Sequence, residues 1–381
     1  MNLLCLCLLA FATAARKASG LQLEQLQAQA RADSNDAVAH FNLASALFKA
    51  RHYREAEQPL LLAVSIDPQY APALLLLSRN NEAQTPGRIA VLARQNRVLF
   101  VRVDPLADEN ARLRRRAFLI DPLLEVGPPN REALPVAWRG TLGLALYHYD
   151  RQEWQDASAG FQTVIDRTTR PRDSTGVPPV ALWFRARCAL QLGDYESAIR
   201  YFQWLLAVRM QDSASERLWN PFAGEELRYV LAYVYQQARR WDEAVRRYQE
   251  VAQENLGLDA AHTHLAEIYE AQERWAEAVE ERVRALNANP DATSLTFNLG
   301  STLLTAGRYA EAEPVLERYG AQYPRDVRVF YLLGVARMGL GNAAGARDAL
   351  TTYVALAPSR YEAQIRDAKQ RLTTLTAGQT K

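Results

Sequence analysis

The chain has 381 residues, enough for two or three globular domains or for one elongated array. Its 45 basic and 43 acidic residues leave a formal charge of +2, which excludes a general attraction to nucleic acid or to an anionic membrane. The three cysteines exclude a disulfide framework: Cys5 and Cys7 lie in an apolar N-terminal run, and Cys188 sits in a helical pattern beside Trp183 and Phe184 without a nearby His, as an inert thiol.

Residues 1–15 read as a signal peptide. Leu3 to Ala14 is an apolar run of that length, too short to span a bilayer, and Ala12 and Ala14 offer small residues for cleavage. The charges run against it, since neither Lys nor Arg precedes the run while Arg16 and Lys17 follow it. Leu4 precedes Cys5 and Leu6 precedes Cys7, so no lipoprotein anchor is expected. The expectation is a periplasmic or secreted protein of the cell envelope, with a cytoplasmic protein that keeps an apolar N-terminal segment as the alternative.

Residues 16–36 carry a capping helix, over Leu21 to Ala32. Residues 37–104 hold two helix-pair repeats, the second degenerate, with Pro86 and Gly87 at its turn and Arg94 and Arg97 where apolar residues should face the stack. From 105 to 137 no repeat fits: Asp121-Pro122, Gly127-Pro128-Pro129 and Pro135 mark an irregular insert that splits the array. Within it Arg112, Arg114, Arg115 and Arg116 cluster on a helix beginning near Ala107, where Asp108 and Glu109 make a solvated face a simpler reading than an anion-binding patch. Residues 138–358 hold six more repeats, with lengthened connections at Arg170 to Pro179 and Met210 to Gly224. Residues 359–381 close the array with a solvating helix, Tyr361 to Leu375, and a short tail.

The organising signal is a period of thirty-four residues. Trp241, Trp275, Tyr309 and Ala343 share one slot, and Pro290, Pro324 and Pro358 share another. The clearest repeat runs from Asp259 to Pro290: Leu265, Ala266 and Tyr269 recur at helical spacing, then Ala278, Arg282 and Ala285, with Glu273-Arg274-Trp275 at the turn and Pro290 as the stop. Such a unit cannot bury its apolar face alone, so neighbours must stack.

This pattern resembles the tetratricopeptide repeat family over most of the chain. The resemblance implies an all-α fold, a right-handed α-solenoid of stacked antiparallel helix pairs. It also implies a small residue in each first helix, matched by Ala44, Ser78, Ala145, Ala186, Ala232, Ala266, Gly300 and Gly334. An alanine twelve residues later, in the second helix, is matched by Ala56, Ala90, Ala157, Ala198, Ala244, Ala278, Ala312 and Ala346. Small side chains are required there because the two helices cross most closely at those places.

In this family the first helices line a concave groove that takes an extended peptide or a partner helix. The residue three before each small residue is expected to face it: Phe41, Leu75, Leu142, Trp183, Tyr229, Thr263, Phe297 and Tyr331, with Tyr233, Asn42 and Asn298 on or beside the same face. Aromatic rings would accept apolar side chains and asparagines would bond a peptide backbone. The competing reading is that these residues pack against the next first helix. The Lys and Asn set with which some relatives grip C-terminal carboxylates is not matched.

Enzyme signals fail on context. His262 and His264 lie two apart on a helix and point to different sides, and His40, His52 and His148 are scattered. Gly339, Gly341 and Gly345 fall in a repeat turn with no strand before them. The expectation is a non-catalytic protein–protein interaction scaffold that needs no cofactor or metal, binds protein or peptide and does not bind nucleic acid. The alternative is a structural spacer or accessory subunit of an envelope assembly or of an enzyme, contacting partners through the convex face or the insert.

Overall fold

The computed structural model describes residues 22–84, 88–94, 97–103, 106–124, 139–168, 177–211, 224–253, 258–290 and 292–377. The expected signal peptide, the insert beyond 124 and most of the two long connections lie outside the described residues. No helix among the described residues is long and apolar enough to cross a membrane.

The fold is an all-α solenoid of stacked helix pairs. After α1 (22–32), the pairs are α2 (Ala37–Lys49) with α3 (Tyr53–Ile66), and α4 (Ala71–Gln84) with α5 (Ala107–Ile120). Then come α6 (Arg139–Asp150) with α7 (Trp154–Thr168), α8 (Pro179–Gln191) with α9 (Tyr195–Gln211), and α10 (Gly224–Gln237) with α11 (Trp241–Gln253). The last three pairs are α12 (Leu258–Ala271) with α13 (Trp275–Ala288), α14 (Thr293–Thr305) with α15 (Tyr309–Gln322), and α16 (Arg328–Gly339) with α17 (Ala343–Leu356), followed by α18 (Glu362–Ala377).

The repeat period has a direct structural meaning. Trp241, Trp275, Tyr309 and Ala343 are the first residues of α11, α13, α15 and α17. The small places are the crossings: Ala44, Ala145, Ala186, Ala232 and Ala266 are buried on first helices, and Ala56, Ala157, Ala198, Ala244, Ala278, Ala312 and Ala346 on second helices. A Cβ on Gly300 would stand 2.6 Å from Leu316, and one on Gly334 would stand 2.6 Å from Leu350, so a larger residue at either place would force that leucine to shift. The slot aromatic also seals neighbouring repeats, since Gly339 of α16 packs directly on the Tyr309 ring and leaves no room for a Cβ.

The turn inside each pair repeats as well. Arg51, Gln152, Gly193, Arg239, Glu273, Gly307 and Gly341, each seven residues after the small residue, all have positive φ. The next N–H reaches back five residues, as from Asp194 to Ala189 (2.8 Å) and from Arg274 to Tyr269 (2.8 Å), closing the helix end. Glycine takes this conformation freely, whereas Arg51, Gln152, Arg239 and Glu273 adopt it at about 1 kcal/mol each.

The second repeat departs from expectation. In place of a helix around Ala90 the chain makes an antiparallel hairpin of β1 (Arg88–Arg94) and β2 (Arg97–Val103), with Val91 opposite Phe100. The run Val98-Leu99-Phe100-Val101, with two β-branched valines and an aromatic ring, favours extended backbone, and Pro86-Gly87 breaks any helix before it. The helix that completes the pair is α5, from the segment expected to be an irregular insert, and its Asn110 and Ala117 are buried. Asn110 is tied to α4, its carbonyl by the Ser78 hydroxyl (3.3 Å) and its side chain by the Asn81 amide (3.1 Å).

The chain divides into two compact bodies, Met1–Asp121 with Pro290–Lys381, and Pro122–Asn289. The last two repeats of the 138–358 block therefore group with the first two. In the first body α1 and α18 pack on the pairs beside them. Leu23 and Leu26 of α1 pack on Leu43 and Leu47, while Ala368, Ile365 and Leu372 of α18 pack around Leu350 and Tyr353.

Candidate functional site

The aromatic and asparagine side chains expected on or beside the groove separate into three groups. Trp183 and Tyr229 are enclosed, at 1% and 0% exposure. Trp183 meets Phe202 of α9 edge-on at 5.3 Å, and Tyr229 meets Tyr248 of α11 at 5.7 Å and His264 of α12 at 5.7 Å. These two are core residues, because the rings fill the space between their own second helix and the next first helix. Tyr233, one turn on, is half-buried with its ring 5.5 Å from His264. Tyr331 is engaged by the C-terminal cap: its hydroxyl donates to Asp367 Oδ2 of α18 at 2.7 Å. The third group, Phe41 with Asn42 and Phe297 with Asn298, stays accessible; Asn42 is exposed and the other three are half-buried.

In the second body a polar cluster surrounds Tyr229. Tyr248 stacks on His264 at 5.1 Å and its hydroxyl donates to Gln236 Oε1 (2.7 Å). Gln236 Nε2 donates to Glu267 (3.0 Å), which also pairs with His264 (2.8 Å). Arg282, 5% exposed, is held by both oxygens of Glu270 at 3.0 Å. Burial works to raise the Glu267 carboxyl, but the His264 charge and hydrogen bond, Arg282 and the Gln236 amide outweigh it and hold it down at about 2, against 4.5 for a free glutamate. A depressed carboxylate contributes stability that is fully present above the unfolded value and is lost as pH falls from 4.5 through about 2. Glu267→Gln is therefore expected to melt below the wild type at about pH 6 and to converge with it toward about pH 2. Melting curves that keep a constant offset across that window would refute the pairing.

Other reactive groups are taken up structurally. His262 pairs with Glu281 (2.6 Å), so the two neighbouring histidines serve different carboxylates. The Cys188 thiol is pushed up to about 12 by burial, as suits an inert side chain. His148, Glu153 and Asp156 stand close enough to share an ion, but Glu153 already pairs with His148 (2.6 Å) and Arg151 (2.7 Å). That ion-paired turn accounts for their proximity.

In the first body the structure brings Phe297 and Asn298 together with residues that the sequence did not single out. Gln69, in the turn between α3 and α4, donates from Nε2 to the Ser294 carbonyl (2.9 Å) and to Asn298 Oδ1 (3.1 Å). Arg328 lies over the Phe297 ring at 4.8 Å and pairs with Asp67 (3.1 Å). Asp326, 1% exposed, holds the guanidinium from Oδ1 (2.8 Å) and Oδ2 (2.7 Å) and accepts the Tyr319 hydroxyl (2.7 Å). Burial alone would lower the Arg328 guanidinium, but the Asp326 and Asp67 carboxylates raise it above its ordinary value. Along the same body Asp33 accepts from the Ser359 hydroxyl (3.0 Å), Asp36 pairs with Arg360 (3.1 Å) and Asn35 donates to the Leu356 carbonyl (3.3 Å). Partners more than two hundred residues apart leave no local signal in a sequence.

Capped stacks of helix pairs, with ionisable groups consumed by structural pairs, define a helical-repeat scaffold whose fold implies protein partners. The sequence profile described as tetratricopeptide repeat matches residues 142–213, 229–293, 281–327 and 297–361, more than half of the chain, and the chain belongs to that family. Comparison with curated proteins gives no match. Among solved structures, the C-terminal part of a TPR repeat-containing protein from Cytophaga hutchinsonii is 11% identical, with 62% of this chain and 88% of that one covered and a TM-score of 0.50. YrrB, a TPR protein with an unusual peptide-binding site, is 18% identical over 56% of this chain and 100% of its own, with a TM-score of 0.39. PilF of Pseudomonas aeruginosa is 14% identical over 63% of this chain and 99% of its own, with a TM-score of 0.42. Likeness at this level concerns the fold.

Proposed function

We propose that the protein is a non-catalytic scaffold that binds an extended peptide or partner helix along its first-helix face. The observation that carries this reading is the recurrence of one pair, an aromatic followed by an asparagine, that is not enclosed at the same place of two first helices: Phe41–Asn42, with its amide exposed, and Phe297–Asn298, half-buried beneath the Gln69 turn. A ring offers an apolar seat and the neighbouring amide offers both a donor and an acceptor to a peptide backbone. A folded array presents these groups with little ordering cost on its own side. The enclosed Trp183 and Tyr229 leave Asn42 and the Phe297–Asn298 pair as contact residues of the first body and Tyr233 as that of the second. Placement in the cell envelope is part of the proposal and rests on the apolar run Leu3 to Ala14; an intact Met1 on the mature protein would remove it.

The test is capture of partners by the full chain, with mass spectrometry as the readout. Asn42→Ala and Tyr233→Ala are expected to lose a captured protein while circular dichroism stays that of the wild type. Capture that survives both changes and is lost when Arg112 and Arg116 of α5 are replaced would favour the spacer reading instead.

A further inference from the structure

We propose that Ser294, Phe297, Asn298 and Arg328 form a recognition site for a segment that presents a carboxylate and, two residues on, a carboxamide, and that the chain's own Asp67–Gln69 turn fills it as a tethered ligand. The inference rests on the first-helix reading above and names the chemistry of its partner.

The site side is pre-organised. Asp326 fixes the Nε and Nη2 edge of Arg328, and the Phe297 ring supports the guanidinium at 4.8 Å, so the remaining donors are aimed before anything binds. They receive Asp67, from Nη2 at 3.1 Å and from Nη1 at 3.4 Å. One turn of α14 supplies two acceptors on the same face, the Ser294 carbonyl and Asn298 Oδ1, and both receive the single Gln69 amide.

The ligand side is shaped by local sequence. Asp67 Oδ1 accepts from the Gln69 backbone N–H at 3.1 Å, an Asx turn that sets the carboxylate and the carboxamide on one side of the chain. The flanking contacts repeat the charge pattern, with Asp33 and Asp36 on the N-terminal turns facing Ser359 and Arg360. Every one of these bonds is polar, so an acidic segment supplied by another protein can replace the turn bond for bond. A tethered turn acts at an effective concentration in the millimolar range, and it lowers the apparent affinity for such a segment by the fraction of time the site stands open.

The test uses the full chain and a fluorescent synthetic peptide spanning residues 65–72 of this sequence, read by anisotropy. Asp67→Ala/Gln69→Ala is expected to bind the peptide about tenfold or more tightly than the wild type, and adding Arg328→Ala is expected to remove that gain. Equal affinity of the wild type and the double variant overturns the proposal, as does a gain that persists without Arg328. Should the double variant lose helicity, Asp67→Asn keeps the shape of the turn and removes its charge, and a variant of that kind without tighter peptide binding also overturns it. Partner capture through Asn42 that coexists with no peptide gain sinks this assignment and leaves the scaffold reading standing.

Discussion

Trp183→Ala is expected to destabilise the second body by about 3–5 kcal/mol, as deletion of a fully buried tryptophan does. Trp183 is 1% exposed and its helix, α8, is buried almost throughout, from Pro179 to Phe184 and on to Ala189. Phe202 packs across the pair edge-on at 5.3 Å, so the space left behind cannot collapse without moving α9. Because each repeat is stabilised by its neighbours, the loss spreads to the adjoining pairs. Urea unfolding followed by circular dichroism measures it. A variant that keeps wild-type stability yet loses partner capture would return Trp183 to the binding surface.

Asp326→Ala is expected to cost the first body about 3–5 kcal/mol, the range for removing one member of a buried ion pair. Its side chain is 2% exposed and serves the Arg328 guanidinium and backbone N–H as well as the Tyr319 hydroxyl. Without it the buried phenol has lost its acceptor and Arg328 keeps Asp67 as its partner. Arg328→Met in the same chain is expected to recover part of the loss, because the guanidinium then no longer stands without its principal carboxylate. A thermal shift equivalent to less than about 1 kcal/mol would mean that water replaces the carboxylate freely.

Much of the fold is written locally. The period, the proline stops and the small residues at the crossings specify helix pairs because a helical face and a close crossing involve residues near one another in sequence. The same locality explains the error at the second repeat. Ala90 stands at the expected distance from Ser78, but a spacing cannot outweigh the extended preference of the run from Val98 to Val101, and the pair is completed by α5 from beyond the hairpin. The candidate site is less legible. A place on a first helix says that a ring points inward but not whether another helix covers it, so Trp183 and Phe297 look alike in sequence and differ in burial.

The sequence alone therefore determined the repeat, its family resemblance and the small residues at the helix crossings. Only the tertiary structure decided that Trp183 and Tyr229 are core, that seven turn residues share a positive φ, and that Asp67 and Gln69 meet Arg328 and Asn298. The physical reason is range. Helix pairs are set by interactions a few turns apart, whereas burial and the pairing of charges from distant turns depend on where each helix stack carries them.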